Sequence, residues 1–188
     1  MEHTLKEQID KIIDDTYLNK NLAVIFEDFY DDMDRKGLIQ GGCHFLSSIL
    51  HVILNEFDID NELCLGNVEM KGCIFSHSWI DIKGKVFDIA IIKTNRSEIS
   101  LNGVVFSGVD LSTGNLPEIN YGVYSDQDLV DSTGKQVKKL TLGEYFGNSP
   151  YGSQFVWNYI ADFCKMKKKF VNTRRLKEKY ADEKWVRK

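Results

Sequence analysis

The sequence predicts an α+β fold in which N-terminal helices pack on an antiparallel sheet. Apolar residues recur with the 3.6-residue period of a helix in the first third of the chain, and then with the two-residue alternation of strands. The chain has 188 residues, of which 43% are hydrophobic and 28% are charged. This length and composition fit one globular domain with a sizeable core, so we expect a single domain over 1–188.

Three amphipathic helices are predicted before the sheet. The first begins at Thr4, which is followed by Glu7 in the pattern of a capping box. The second ends near Gly37, because glycine is common directly after a helix. The third begins at Cys43 and carries an apolar stripe at helical spacing. The predicted ranges are 4–19, 21–36 and 43–57.

Three strands are predicted next, separated by two Lys-Gly pairs that mark tight turns. We expect them to form an antiparallel meander stacked on the third helix. Their predicted ranges are 62–70, 73–82 and 85–92.

The second half of the chain has a weaker pattern. Residues 93–150 contain many glycines between short apolar pieces, which predicts strands joined by long loops of the kind that often line binding sites. Pro150 is expected to open a helix over 151–167. Asn172 or Thr173 then caps a last helix that runs toward Lys188.

Charge is unevenly distributed along the chain. The net charge is −4, yet residues 165–188 carry 11 Lys/Arg and 3 Asp/Glu. We interpret this basic helical segment as a solvated surface, with an acidic ligand, a nucleic acid or a membrane surface as the alternative. Nucleic-acid binding would weaken steeply with added salt, and we do not expect a nucleic acid as a partner.

We predict a cytoplasmic location and no association with membranes. The N-terminus mixes acidic and basic residues without the apolar stretch of a signal peptide, and no apolar run approaches the ~18 residues of a membrane span. The four cysteines have unequal spacings, so we expect reduced thiols. No usual metal-ligand pattern and no nucleotide-binding fingerprint occurs, so we expect neither a metal nor a cofactor.

Cys43 is the candidate nucleophile. It follows Gly41 and Gly42 where a helix begins, and glycines permit a sharp turn and a close approach of substrate. A thiol at a helix N-terminus faces unpaired N–H groups and the positive end of the dipole, which favour the thiolate. The same N–H groups could hold an oxyanion. The alternative interpretation makes Cys43 the first apolar residue of a core stripe.

His77 is the candidate base, in a strand where it shares a face with Phe75, Trp79 and Asp81. Taken alone, such a residue is more often a structural histidine than a base. A two-residue turn at Lys83-Gly84 would place Asp88 on the same face as His77 and diagonal to it, pairing Trp79 with Asp88 and His77 with Ala90. A longer turn would direct the carboxylate to the other face.

These residues resemble the core of transglutaminase-like cysteine enzymes. The resemblance rests on Gly41-Gly42-Cys43 opening a helix, His77-Ser78-Trp79 on a strand, and Asp88 on the next strand, within about residues 37–92. It is similar to short bacterial forms, including the leader peptidases of lasso-peptide pathways. The resemblance implies a papain-like fold and a cysteine hydrolase or acyltransferase. Such an enzyme cleaves or transfers the acyl group of a peptide, protein or other amide through a thioester.

Other residues have weaker assignments. Gln40, Gly42 and Trp79 are candidates for binding substrate or the oxyanion. A catalytically inactive binding module of the same fold is one alternative, and arylamine N-acetyltransferase-like chemistry is another, although Gln40 replaces the arginine expected there. His44 projects about 100° away from Cys43 around the helix and is predicted to be a poor base, with His51 facing solvent. Core packing is predicted for an aromatic group made up of Tyr145, Phe146, Tyr151, Phe155 and Trp157.

Overall fold

The computed structural model describes residues 5–16, 20–95 and 98–188, and it has a mixed α+β fold. Thr4 of the predicted capping box lies outside the described residues. The first three predicted helices are confirmed to within a few residues where they are described, as is the helix expected after Pro150. Within the described ranges the helices are α1 (Leu5–Thr16), α2 (Lys20–Arg35), α3 (Cys43–Glu56), α4 (Ser132–Val137), α5 (Leu142–Gly147), α6 (Ser153–Met166) and α7 (Thr173–Tyr180).

One mainly antiparallel sheet forms the other half of the fold. Its strands lie in the order β3-β2-β1-β6, and β7 pairs in parallel with β1 beyond the end of β6. A separate hairpin is formed by β4 and β5. The strands are β1 (Glu62–Met70), β2 (Cys73–Ile82), β3 (Lys85–Phe87), β4 (Val105–Phe106), β5 (Val109–Asp110), β6 (Asn120–Val123) and β7 (Val186–Arg187).

The central helix α3 is buried on nearly all sides. Its inner residues pack on one face of the sheet, where Leu63, Leu65, Ile80 and Ile82 belong to the main hydrophobic core. The opposite face of the sheet carries a second, smaller core that includes Trp79. Burial at this level contributes about 1.5–3 kcal/mol for each large apolar side chain, so α3 is held firmly against β2.

The third strand is shorter than predicted. It ends at Phe87, whereas the sequence pattern indicated a strand over 85–92. Asp88 leaves β2 and pairs instead with Val105, through backbone hydrogen bonds of 2.8 and 2.9 Å. The chain then enters a 3₁₀ turn at Ile91–Lys93. An apolar run does not by itself distinguish a strand from other buried backbone, which is why the predicted strand was too long.

Two helices in the region 93–150 were missed. Both have N-terminal caps: Asp131 accepts from Gly134 before α4, and Thr141 forms a capping box with Glu144 before α5. Glycines inside these helices lower the helix propensity of their sequences, so the sequence pattern did not predict them. Gly134 is required by packing, because a Cβ there would lie 2.5 Å from the Cβ of Ser76.

The C-terminal segment is only partly helical. Asn172 caps α7 as predicted, since its Oδ1 accepts from the N–H of Arg175 at 2.8 Å. The helix ends at Tyr180 rather than running toward Lys188, which is a correction. Trp185 is buried against Tyr145, and the chain turns back along β1 to form β7. Among the described residues, none of the helices combines the length and apolar character needed to cross a bilayer.

A buried carboxylate ties the basic segment to α3. Glu56 is 3% exposed, and its Oε1 accepts from the Tyr180 hydroxyl at 2.7 Å and from Lys179 Nζ at 3.0 Å. Burial raises the pKa of Glu56, but these two donors outweigh burial and hold the pKa below its usual value.

We predict that Tyr180→Phe lowers the free energy of unfolding by about 1–3 kcal/mol, because it removes a donor from a buried carboxylate. Urea unfolding at neutral pH measures this. Tyr151→Phe is the control, because Tyr151 is exposed and its loss of a hydroxyl should leave stability within about 0.5 kcal/mol. Equal stability of both variants and the wild type would contradict the role given to Tyr180.

Candidate active site

The paired glycines shape the turn that delivers Cys43 to the start of α3. Gly41 has φ +64°, and its N–H donates to the carbonyl of Lys93 at 2.8 Å. A Cβ at Gly41 would collide with the side chain of Asn95, and one at Gly42 would lie 2.5 Å from the Leu38 carbonyl oxygen. Neither position accepts a side chain without movement of its neighbours.

Cys43 occupies the first position of α3. Gly42 is the N-cap and offers no side chain to the first turn, so the first N–H groups of the helix lack a side-chain cap. The thiol is partly exposed. It therefore combines solvent access with the positive end of a helix dipole.

The imidazole of His77 is held by Asp88. His77 Nε2 donates to Asp88 Oδ2 at 2.6 Å, and both side chains are almost completely buried. The same oxygen accepts from the Tyr121 hydroxyl at 2.9 Å. Asp88 Oδ1 accepts from the N–H groups of Ala90 at 2.9 Å and Ile91 at 3.3 Å. Four donors thus satisfy a carboxylate that burial would otherwise penalise.

The two-residue turn predicted between β2 and β3 is present. Lys83 and Gly84 both have positive φ, and Ile82 pairs with Lys85. The ladder ends at Ile80↔Phe87, so the predicted pairs beyond it, Trp79 with Asp88 and His77 with Ala90, do not form. The register nevertheless sets the direction of Asp88, and the side chains of His77 and Asp88 meet as the prediction required.

Electrostatics favour an ion pair between Cys43 and His77. Burial acts to raise the pKa of the Cys43 thiol, but the adjacent imidazoles of His44 and His77 outweigh it and bring the pKa well below its usual value. Burial acts to lower the pKa of His77, but the Asp88 carboxylate and the Cys43 thiolate outweigh it and raise the pKa to about 10. Because Nε2 of His77 is bonded to Asp88, Nδ1 is the nitrogen left to face the thiol.

A cavity of about 260 Å³ opens in front of the thiol. Its volume suits one side chain or a short segment of a larger substrate rather than a whole cofactor. Backbone from the loop before α3, from β2 and from the N-terminal end of α4 encloses it. The lining residues are Gly41, Cys43, His44, Phe75, Ser76, His77, Ala90, Thr94, Asn95, Ile99, Asp131 and Thr133.

The weaker candidates are not all at this cavity. Gln40 is exposed and does not line it. Trp79 is buried against Tyr121, with ring centroids 5.0 Å apart, and faces a different depression. Gly42 adjoins Cys43, the candidate nucleophile, through its position as N-cap.

Two histidines on α3 differ from expectation. His51 is 8% exposed rather than solvent-facing, because its ring nitrogens bind Asn61 Oδ1 at 2.7 Å and Glu183 Oε2 at 2.8 Å. His44 is also buried and lies at the cavity beside Cys43. Its Nδ1 lies 2.7 Å from Ser78 Oγ, a contact between α3 and β2 that helical spacing alone could not predict.

The remaining cysteines differ from Cys43. Cys64 and Cys164 are buried, and burial raises the pKa of each to about 12. Cys73 is partly exposed. Within residues 5–16, 20–95 and 98–188, no group of three or more potential ligands is arranged to hold a metal ion.

The aromatic group predicted to pack in the core is divided. Phe146 and Trp157 are fully buried, with centroids 4.9 Å apart, as predicted. Tyr151 and Phe155 are exposed, which corrects the prediction for them, and Tyr151 stacks on Phe45 near the start of α3.

Comparison with protein-family models, with curated proteins and with solved structures found no match. The resemblance to transglutaminase-like enzymes therefore stays a prediction from motif order, and the chemistry of the site has to be argued from its own geometry.

We predict that Asp88→Asn lowers the pKa of the His77 imidazole from about 10 toward its ordinary value, since the carboxylate is lost while burial remains and only the Cys43 thiolate still raises the pKa. Titration of ring-labelled histidine by NMR measures this. Asp128→Asn, which changes an exposed carboxylate, is the control and should leave the titration unchanged. An unchanged His77 titration in Asp88→Asn would contradict the proposed pairing.

Proposed function

We propose that this protein is a cysteine-dependent hydrolase or acyltransferase that acts on a peptide or another amide. The observation that carries the proposal is the buried 2.6 Å bond between His77 and Asp88, which orients the imidazole toward a thiol at a helix N-terminus. Structural cysteines are normally inert and buried, whereas this one is partly exposed at a cavity beside two imidazoles. The combination supports nucleophilic catalysis.

The chemistry follows from the placement of charge. The Cys43 thiolate attacks a carbonyl carbon, and the carbonyl electrons move to oxygen. The tetrahedral intermediate collapses, the leaving amine takes a proton from Nδ1 of the His77 imidazolium, and a thioester remains on Cys43. Water or an amine then attacks the thioester, with neutral His77 accepting its proton. Asp88 keeps the ring in one tautomer and orientation throughout.

The cavity restricts what reaches the thiol. At about 260 Å³ it admits a side chain or a short extended segment while the rest of the substrate lies outside. A peptide or protein bearing a reactive amide fits this geometry. Hydrolysis, transamidation and deamidation share the first half-reaction. An amine resolves the thioester in transamidation, whereas water resolves it in the other two, which differ in the amide that is attacked.

The test is the pH dependence of alkylation by iodoacetamide, in a Cys73→Ser background that removes the other partly exposed thiol. Because the pKa of Cys43 is lowered, we expect the rate to reach its plateau well below the pH at which an ordinary thiol, with a pKa of ~8.5, ionises, and to fall only toward acid. In His77→Ala the plateau should begin at a higher pH than in the wild type, because only His44 then remains to lower the pKa of the thiol against its burial. At about pH 5.5 the mutant should be roughly tenfold slower, after allowing for the higher intrinsic nucleophilicity of a more basic thiolate.

Further variants distinguish a loss of thiol activation from a loss of folding. His77→Gln fills more of the space left by the ring and should behave like His77→Ala, and circular dichroism verifies that both variants fold. His51→Ala removes another buried imidazole, on α3 and outside the cavity, and should retain the wild-type profile. A wild-type profile that rises only near pH 8.5 would overturn the proposal and favour a binding module without turnover.

A further inference from the structure

Two imidazoles line the cavity beside the thiol, His77 from β2 and His44 from α3. His77 lies on the face of the strand that carries Phe75 and Trp79, and it is oriented by Asp88. Ser78, the next residue, points to the other face, toward α3, where its hydroxyl meets the imidazole of His44. Both rings line the same cavity as Cys43, and both act to lower the pKa of its thiol. A Cys–His–Asp set accounts for one of them only.

The position of His44 is built by several contacts. The ring is 7% exposed, and its Nδ1 lies 2.7 Å from Oγ of the fully buried Ser78. Ser47, one turn along α3, donates through its hydroxyl to the carbonyl of Ser78 at 3.0 Å, which fixes the strand against the helix. When the Ser78 hydroxyl donates to Nδ1, the ring hydrogen resides on Nε2, the nitrogen left for the cavity.

Without a donor from His44, the oxyanion would have an incomplete set of hydrogen-bond donors. The backbone N–H of Cys43, at the uncapped start of α3, can supply one. A second donor was expected from Gln40, but this side chain is exposed and lies outside the cavity. Other polar side chains also line the cavity, but His44 directly follows Cys43 in α3 and, at 7% exposure, is a buried group that the Cys–His–Asp set does not use.

We propose that His44 is a further catalytic residue, which donates a hydrogen bond from Nε2 to the oxyanion formed when the Cys43 thiolate attacks a carbonyl group. In the resting site this N–H faces the thiolate. As the S–C bond forms, the π electrons of the carbonyl group move to its oxygen, which then carries the negative charge. The Nε2–H group of His44 donates to this oxygen instead of to sulfur. His44 gives up no proton, since the leaving amine takes its proton from His77. The inference rests on the proposed function of Cys43.

Two reactions of the Cys43 thiolate distinguish stabilisation of the oxyanion from reactivity of the thiolate. Alkylation by iodoacetamide displaces iodide and forms no oxyanion, whereas acylation by p-nitrophenyl acetate passes through one. Both rates are measured on the alkaline plateau, where Cys43 is ionised in every variant, and the rate of Cys43→Ala is subtracted. The ratio of acylation to alkylation then reports oxyanion stabilisation.

We predict that His44→Ala lowers this ratio about 100-fold, as expected for the loss of one oxyanion donor, with alkylation changed by less than about fivefold. His44→Gln retains an N–H donor and should recover part of the ratio. Ser78→Ala leaves the ring but frees its tautomer, so it should lower the ratio less than His44→Ala does. His51→Ala is the matched control and should leave the ratio unchanged.

The outcomes distinguish this inference from the proposed function. Wild-type protein that resists both reagents contradicts the function itself. Reactive wild type with an unchanged ratio in His44→Ala, or an equal loss of both rates, overturns the role of His44 alone. A fall of the same size in His51→Ala would also overturn it, since the effect would then come from lost packing in α3.

Discussion

The architecture around the thiol depends on the buried carboxylate of Asp88. Its backbone pairs with Val105 and so ends β3, while its Oδ1 accepts the first N–H groups of the turn that follows. That turn brings the carbonyl of Lys93 to the N–H of Gly41, which sets the loop that leads into Cys43. Through Oδ2 the same carboxylate orients His77. One side chain therefore positions both Cys43 and His77, the proposed nucleophile and base.

Such a carboxylate is stable in the interior only because its acceptor capacity is used. A buried charge without partners costs several kcal/mol, whereas Asp88 has four donors, two from backbone and two from side chains. Tyr121 contributes the fourth from the second small core. Burial raises the pKa of the Tyr121 hydroxyl, and the carboxylate raises it further, so this residue remains a donor across the working pH range.

Much of the site could be predicted because it depends on local patterns. The Gly41-Gly42-Cys43 sequence indicates a turn and a helix start, and the Lys83-Gly84 turn fixes which face Asp88 occupies. The meander of β1 and β2 follows from alternation. These features depend on residues that are close in sequence, where spacing and geometry are directly related.

The unpredicted parts depend on contacts between distant segments. The pairing of His44 with Ser78 joins residues 34 positions apart, and that of His51 with Glu183 joins residues 132 apart. Helical spacing alone placed both histidines away from any role. Likewise, the sequence pattern assigns Gly134 to a loop, and only the close approach of α4 to Ser76 explains why a glycine is needed there. Sequence periodicity describes one element at a time and cannot describe such packing.

The most direct test of the central claim is to locate the acyl group after exposure to p-nitrophenyl acetate, by peptide mass spectrometry with and without hydroxylamine. The account predicts one acetyl group on Cys43, bound as a thioester that hydroxylamine removes, and its transfer to water or an added amine as the thiol is regenerated. Acetyl groups found only on lysines or on Cys73, with Cys43 unmodified, would contradict it.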